Sequence, residues 1–457
     1  MILWNYIRKK MLEHPLSTVS ENDTSMLYED LCAFSQEYAK KLNGEYYGIV
    51  CNSEMAACMA LLSCIAAGKP AVPLPVRYGK EICTKICDQA LPPYVISDVE
   101  GELRIYRVDR QKECKKVAKD TAVILFTSGS TGVPKGIMLS TENLLCNVKD
   151  IMSYLPTSEK DTVLISRPLY HSSVLTGEFI VSLCAGANIV FSSEPFQPQS
   201  ILELIDRYCV TVFGSTPTLI TLLSRFIRRP ENSTVNKLTI SGECLTDGMA
   251  KSIRKAFPKA DIYCGYGLSE ASPRVAYLPP NLFDSRPTSA GIALPSVKLK
   301  IVRENGSDAS LCEMGEVVVK GPNVMTGYLD DAERTKKVLK NGWLRTGDVG
   351  YVDNDRMLYI KGRKDDMIIR AGMNIYPTEI ENALSKDERF HDVQVYGYSK
   401  NGTQEIAMSV SGDFKSTDQI MRACRELLPN YQLPSKIEIA DDVERLSSGK
   451  RRRKKET

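Results

Sequence analysis

TAVILFTSGSTGVPKG (121–136) runs from an apolar, β-branched stretch into glycines and hydroxyls and closes on a lysine. A short apolar run bounded by turn residues reads as a buried strand. Gly129, Gly132 and Gly136 let a backbone approach an anion closely. Amides and the hydroxyls of Thr127, Ser128, Ser130 and Thr131 can donate to its oxygens. Lys135 adds positive charge. The spacing is not GxxxxGK[ST], so an ordinary P-loop NTPase is disfavoured. A flexible polar turn is the competing reading of the same letters.

Outward from this loop, β-branched runs alternate with helical patterns. YYGIVC (46–51), PAVPL (70–74), DTVLIS (161–166), ANIVF (187–191), VTVFG (210–214), KLTISG (237–242) and DIYCGYG (261–267) read as strands. EMAACMALLSCIAAG (54–68) reads as a buried helix. STENLLCNVKDIMSYL (140–155) reads as another, capped by Ser140 or Thr141. This alternation predicts α/β layers of mostly parallel sheet. After about Ser296 short strands punctuated by Gly, Asn and Asp predict a β-rich subdomain. Beyond Gly362 a hairpin near Gly372, a helix opened by Pro377 and further strands predict a small α+β unit. The expected division is 1–362 and 363–457.

The chain has 457 residues and a net charge of +3, which gives no support for bulk attraction to nucleic acid or membrane. No apolar run reaches the ~18 residues of a membrane span. Its 14 cysteines include no CxxC pair, and with only 3 histidines there is no zinc signature. The absence of a disulfide-like spacing and of a leader pattern predicts a reducing, cytoplasmic setting.

The glycine–hydroxyl loop resembles the phosphate-binding signature of the adenylate-forming superfamily: acyl- and aryl-CoA synthetases, nonribosomal peptide adenylation domains and luciferases. The resemblance continues, in the family's order, along nearly the whole chain. LYEDL (27–31) is similar to its early helix, AAGKPAVPL (66–74) to its second motif and SGE (241–243) to its adenine-pocket segment. YGLSE (266–270) resembles YGxTE, with Ser269 for the usual Thr. Gly315-Glu316 through Gly327-Tyr328, WLRTGD (343–348), GRKD (362–365) and LSSGK (446–450) match the remaining elements.

The resemblance implies ATP and magnesium as cofactors. It assigns ATP binding to Thr127 through Gly132, Lys135, Gly242, Glu243, Tyr266, Gly267, Leu268, Ser269, Asp348, Ile360 and Arg363. Glu270 suits magnesium, a hard cation that takes oxygen ligands; a surface carboxylate is the plain alternative. Asp348 suits two ribose hydroxyls, or merely caps its turn. Tyr266 would stack on adenine, or sit half-buried in a core. Lys450 would offset charge at the α-phosphate, although RRRKK (451–455) beside it also reads as a solvated basic tail. Asp365 would be the hinge and Gly372 would line a pantetheine tunnel.

RPLYHSS (167–173) is similar to the PLxH element of acyl- and aryl-CoA synthetases, with His171 as a gate. His171, Ser172 and Gly265 would form the acid pocket. Amino-acid-activating relatives carry Asp where this chain has Ser172, and a buried ammonium lacking a carboxylate is costly. A fatty or aryl acid without an α-amino group is therefore expected. The acceptor thiol would be CoA or the phosphopantetheine of a separate carrier protein. Amino-acid adenylation, luciferase-like oxidation and a catalytically dead nucleotide-binding module are the weaker readings.

Overall fold

The computed structural model describes residues 2–76, 79–109, 113–128, 134–194, 196–370, 373–400 and 403–440. Two large sheets form the body. One has nine strands. Its centre is parallel, running from Asp261–Gly267 through Lys237–Ser241, Val212–Ser215, Thr162–Ile165 and Asn188–Phe191 to Thr18–Glu21. Antiparallel strands close both edges: Arg274–Leu278 with Ile292–Ala293 at one side, Thr24–Leu27 at the other. The second sheet has seven strands. Tyr47–Val50, Ala71–Pro73, Tyr94–Val99 and Thr121–Ser128 are parallel within it. Parallel strands are buried on both faces, which is why their sequences are apolar runs without alternation.

Two features depart from the expected layout. The glycine-rich loop does not lead directly into a helix. It turns into a second strand, Pro134–Ser140, antiparallel to Thr121–Ser128 and paired beyond with Gly327–Tyr328. Its opening Pro and Gly hid it, since both residues punctuate strands. The helix Thr141–Tyr154 follows at once, with Ser140 as N-cap in a reciprocal capping box with Asn143. The stretch after His171 is also not a plain helix, because Leu175–Ile180 is a π-helical segment.

Residues 298–363 form a five-stranded antiparallel sheet. Beyond the turn Lys364–Asp366, the hairpin Ile368–Arg370/Met373–Ile375, helices Pro377–Leu384 and Thr417–Leu427, and a three-stranded sheet surround their own apolar cluster of Ile375, Ile380, Val395, Met408 and Ile420. Pro377 opens its helix as expected. This unit meets the body through several polar contacts, among them the Asp247 amide donating to Asn382 Oδ1 at 3.1 Å, the Gly248 amide to Ser385 Oγ at 3.4 Å and Arg225 Nη2 to the His391 carbonyl at 3.3 Å. Among the described residues no helix is long and apolar enough to cross a membrane, and the cysteines are free thiols.

Candidate active site

Thr127 and Lys135 face each other across the hairpin that carries the glycine-rich loop. Lys135 Nζ lies 5.8 Å from the centre of the Tyr328 ring, with the Arg334 guanidinium 6.0 Å from that same ring. A cleft of about 270 Å³ opens beside them, lined by Phe126, Lys135, Tyr328 and Arg334. Lys115, Lys135 and Arg334 line it together with the carboxylates of Asp330 and Asp331, a net positive border of the kind a polyphosphate needs.

Tyr328 connects this cleft to the next motif. Its hydroxyl donates to Glu270 Oε1 at 2.9 Å, and the Glu270 carbonyl accepts from the Met325 amide. Glu270 sits in a short turn after Asp261–Gly267, the strand that also delivers Tyr266. A magnesium ion held by one carboxylate and by the phosphates of a nucleotide needs no cage of side chains. Glu270 fits that role.

Asp348 is 8% exposed and holds two partners. Tyr266 donates to its Oδ2 at 2.6 Å and Arg363 Nη1 to its Oδ1 at 3.2 Å. Its amide donates to Thr346 Oγ1, whose hydroxyl donates to the Val317 carbonyl. Burial raises the Asp348 carboxyl above the ordinary carboxylate range, against the lowering pull of Arg363. Burial also pushes the Tyr266 phenol up, and Asp348 adds to it, so Tyr266 stays a proton donor. Tyr266 and Asp348 are thus joined by the phenol hydrogen bond, a role separate from any stacking of the ring. Ile360 lies on the strand paired with Asp348's own, half-buried against the main core. Glu243 follows Gly242, whose φ is +102°, and accepts from the Thr218 hydroxyl at 2.6 Å.

On the acid side, the Ser172 and Ser269 hydroxyls are 2.8 Å apart. This contact joins the His171 segment to the turn containing Glu270. The His171 and Tyr170 rings lie 4.0 Å apart. Gly265 stands one residue before Tyr266, and a Cβ there would lie 2.8 Å from Arg274 Nε. Leu268 and Ser269 lead into the Glu270 turn, and the Gly267 backbone presses on the Pro273 carbonyl. Asp365 lies in the turn between the body and the C-terminal unit. Gly129, Ser130, Thr131, Gly132, Gly372, Lys450 and the Ser128 side chain lie outside the described residues.

Thr127, Lys135, Ser172, Tyr266, Ser269, Glu270, Asp348 and Arg363 thus converge from five separate segments. Residues 22–329 match the description "AMP-binding enzyme". The chain belongs to the AMP-binding enzyme family. Across 98% of its length it is 28% identical to 2-succinylbenzoate–CoA ligase of Bacillus subtilis, covering 96% of that protein. It is 31% identical to indoleacetate–CoA ligase of Aromatoleum aromaticum over 72% of this chain and 66% of that one. It is 33% identical to the long-chain-fatty-acid–CoA ligase of Bacillus subtilis, again over 72% of this chain, but spans only 60% of that enzyme. A solved Bacillus subtilis o-succinylbenzoate CoA synthetase, in complex with its acyl-adenylate intermediate, superposes with a TM-score of 0.82 at 26% identity, over 98% of this chain and 96% of that one. The same enzyme has been solved with ATP and magnesium. ATP-bound MatB from Rhodopseudomonas palustris, 24% identical, shares the fold with a TM-score of 0.86 over 98% and 97%.

The sequence did not single out Tyr328, Thr346 or Arg274 as functional. Tyr328 lies within a matched motif, so its position was visible and its contact was not. Arg274 had one signal: it is a charged residue at the head of an apolar strand, RVAYL (274–278).

Proposed function

We propose that this AMP-binding enzyme is an acid–CoA ligase, which makes an acyl-adenylate from ATP and a carboxylic acid and then an acyl-CoA. The observation that carries this reading is the pair of linked carboxylates. Asp348, bound to Tyr266 and Arg363, would accept ribose hydroxyls, while Glu270 accepts from Tyr328, whose ring lines the cleft near Lys135.

In the first step a carboxylate oxygen bonds to the α-phosphorus and the bond to the pyrophosphate oxygen breaks. The carboxylate needs no deprotonation, so the protein's part is alignment and charge neutralisation. Thr127, Ser128, Gly129, Ser130, Thr131, Gly132 and Lys135 would hold the β- and γ-phosphates. Gly242, Glu243, Tyr266, Gly267 and Leu268 would border the base, with Ile360 and Arg363 beside the ribose. Magnesium, when bound at Glu270, would neutralise phosphate charge. Lys450 would bring an ammonium to the α-phosphate.

In the second step the CoA sulfur bonds to the acyl carbon, the carboxyl oxygen leaves with AMP, and the thiol proton passes to solvent. Asp365 would act as the hinge between a 1–362 body and a 363–457 cap. Gly372 would line the thiol's path. His171, Ser172 and Gly265 would surround the acid. The relatives' names favour CoA over a carrier protein as acceptor. Serine at 172 disfavours an α-amino acid. The free thiols support a cytoplasmic setting.

Lys450→Ala tests this division of labour. ATP–pyrophosphate exchange should fall by about 10²–10³-fold, the cost of one transition-state donor. Conversion of preformed acyl-adenylate to acyl-CoA should change only a few-fold. Equal loss in both steps contradicts the assignment.

A further inference from the structure

Against Gly265, one of the residues proposed to surround the acid, lies a buried ionic cluster that the adenylation chemistry does not use. Arg167, Glu178 and Arg274 are each 5% exposed. Arg167 Nη2 donates to Glu178 Oε1 at 2.6 Å. Arg274 adds a second cation whose field reaches Glu178, and its guanidinium lies beside the Tyr154 hydroxyl. Arg167 pairs with Glu178 directly while Arg274 acts on it only through its field, and burial pushes the Glu178 carboxyl up. An uncompensated buried cation is costly unless a ligand supplies the missing anion.

Arg274 is placed where such a ligand would arrive. Its side chain crosses the bare faces of Gly265 and Gly177. A Cβ at Gly265 would stand 2.8 Å from Nε, and one at Gly177 would stand 3.3 Å from Nη2. Gly265 directly precedes Tyr266 on its strand. Gly177 lies in the π-helical segment after Ser172. An acid held between Ser172 and Gly265 with its carboxylate toward the nucleotide would therefore point its far end at this guanidinium. The same region holds further unmet polar capacity: Arg167 Nε, Thr176 Oγ1 and Glu178 Oε2 are buried without hydrogen-bond partners.

Resting on the ligase reading above, we propose that Arg274 selects an acid carrying a second anionic group, a short dicarboxylic acid, by binding its distal carboxylate at the inner end of the pocket. The second carboxylate brings the cluster to two cations and two anions. A planar guanidinium also suits a carboxylate through two parallel hydrogen bonds.

The test is magnesium-dependent AMP release by the full-length enzyme with glutarate, its half-amide glutaramate, and hexanoate, repeated with succinate, succinamate and pentanoate. Wild type should favour the diacids over the half-amides by about 100-fold in kcat/KM, the fold-change that one hydrogen bond to a charged group supplies. In Arg274→Leu that preference should collapse and the apolar acids should become the better substrates, with KM for ATP unchanged. Arg274→Lys should recover part of the diacid preference. A wild type that turns over hexanoate or a half-amide as well as the diacid overturns the proposal, without needing any variant to fold, and leaves the ligase reading standing. So does Arg274→Leu with an unaltered diacid-to-amide ratio. AMP release from none of the acids, in a panel extended to aryl and long-chain acids, overturns the ligase reading and the proposal together.

Discussion

Asp348 shows how one residue bears on stability and, in the proposed function, on chemistry. Its two oxygens are held by a phenol and a guanidinium, and it is buried deeply enough that its carboxyl titrates above the ordinary 3.8. Asp348→Asn replaces an acceptor-only group with an amide that keeps one acceptor oxygen and turns an NH2 toward the other donor. KM for ATP should rise by about 10–100-fold, since a hydrogen bond to a charged group contributes roughly 1.5–3 kcal/mol. Pyrophosphate exchange at varied ATP measures this. The sign of the pH effect follows from the direction of the shift. With the folded pKa raised, Asp348 ionises only above that raised value. As pH falls, ATP affinity should therefore begin to fail at a higher pH than an ordinary aspartate would allow. In Asp348→Asn this acid limb should disappear. The same raised pKa means that ionising Asp348 costs the folded state stability. That penalty is absent below 3.8 and grows as pH rises through the folded value.

At the scale of elements, the strand Asp261–Gly267 and its antiparallel neighbour Arg274–Leu278 fix the site together. Their register shifts between Tyr266 and Gly267, and a Cβ at Gly267 would lie 1.8 Å from the Pro273 carbonyl oxygen. Gly267→Ala must push these backbones apart. Destabilisation of about 1–3 kcal/mol, the usual range for overpacking, should appear in denaturant titration, together with weaker ATP binding as Tyr266 moves off Asp348. The strand itself was legible from its letters, with the bounds DIYCGYG (261–267) matching those observed. So were Pro377 at a helix start and Ser140 at a cap, because local chemistry decides both. The strand Pro134–Ser140 was not, because its Pro and Gly argue locally for a turn and only pairing on both sides makes it sheet. Site residues divide the same way. Glu270, Asp348 and Lys135 have roles their motifs imply, whereas Tyr328 and Thr346, though inside motifs, and Arg274, outside them, acquire a role only through partners far away in sequence: 58 residues for Tyr328 and Glu270, and 29 for Thr346 and Val317.

For the whole molecule, the junction between body and C-terminal unit is specific. Gly248 opens against Ser385 so closely that a Cβ would lie 2.3 Å from the Ser385 carbonyl oxygen. Gly248→Val should lift the C-terminal unit from this resting place. Small-angle scattering should then report a larger radius of gyration, and protease should cut faster near residues 363–367. Both cores should keep their melting behaviour, since each has its own apolar cluster. An unchanged profile would mean the contact does not hold the two parts together. The grip on Asp348 bears on this junction too. Arg363 is the last residue of its strand, immediately ahead of the Lys364–Asp366 turn, and its guanidinium rests on the carboxylate that a sugar would also seek. In the proposed function, loading or vacating the nucleotide seat would therefore tug on the proposed swivel itself, and cargo would be sensed at the joint without any messenger crossing the body.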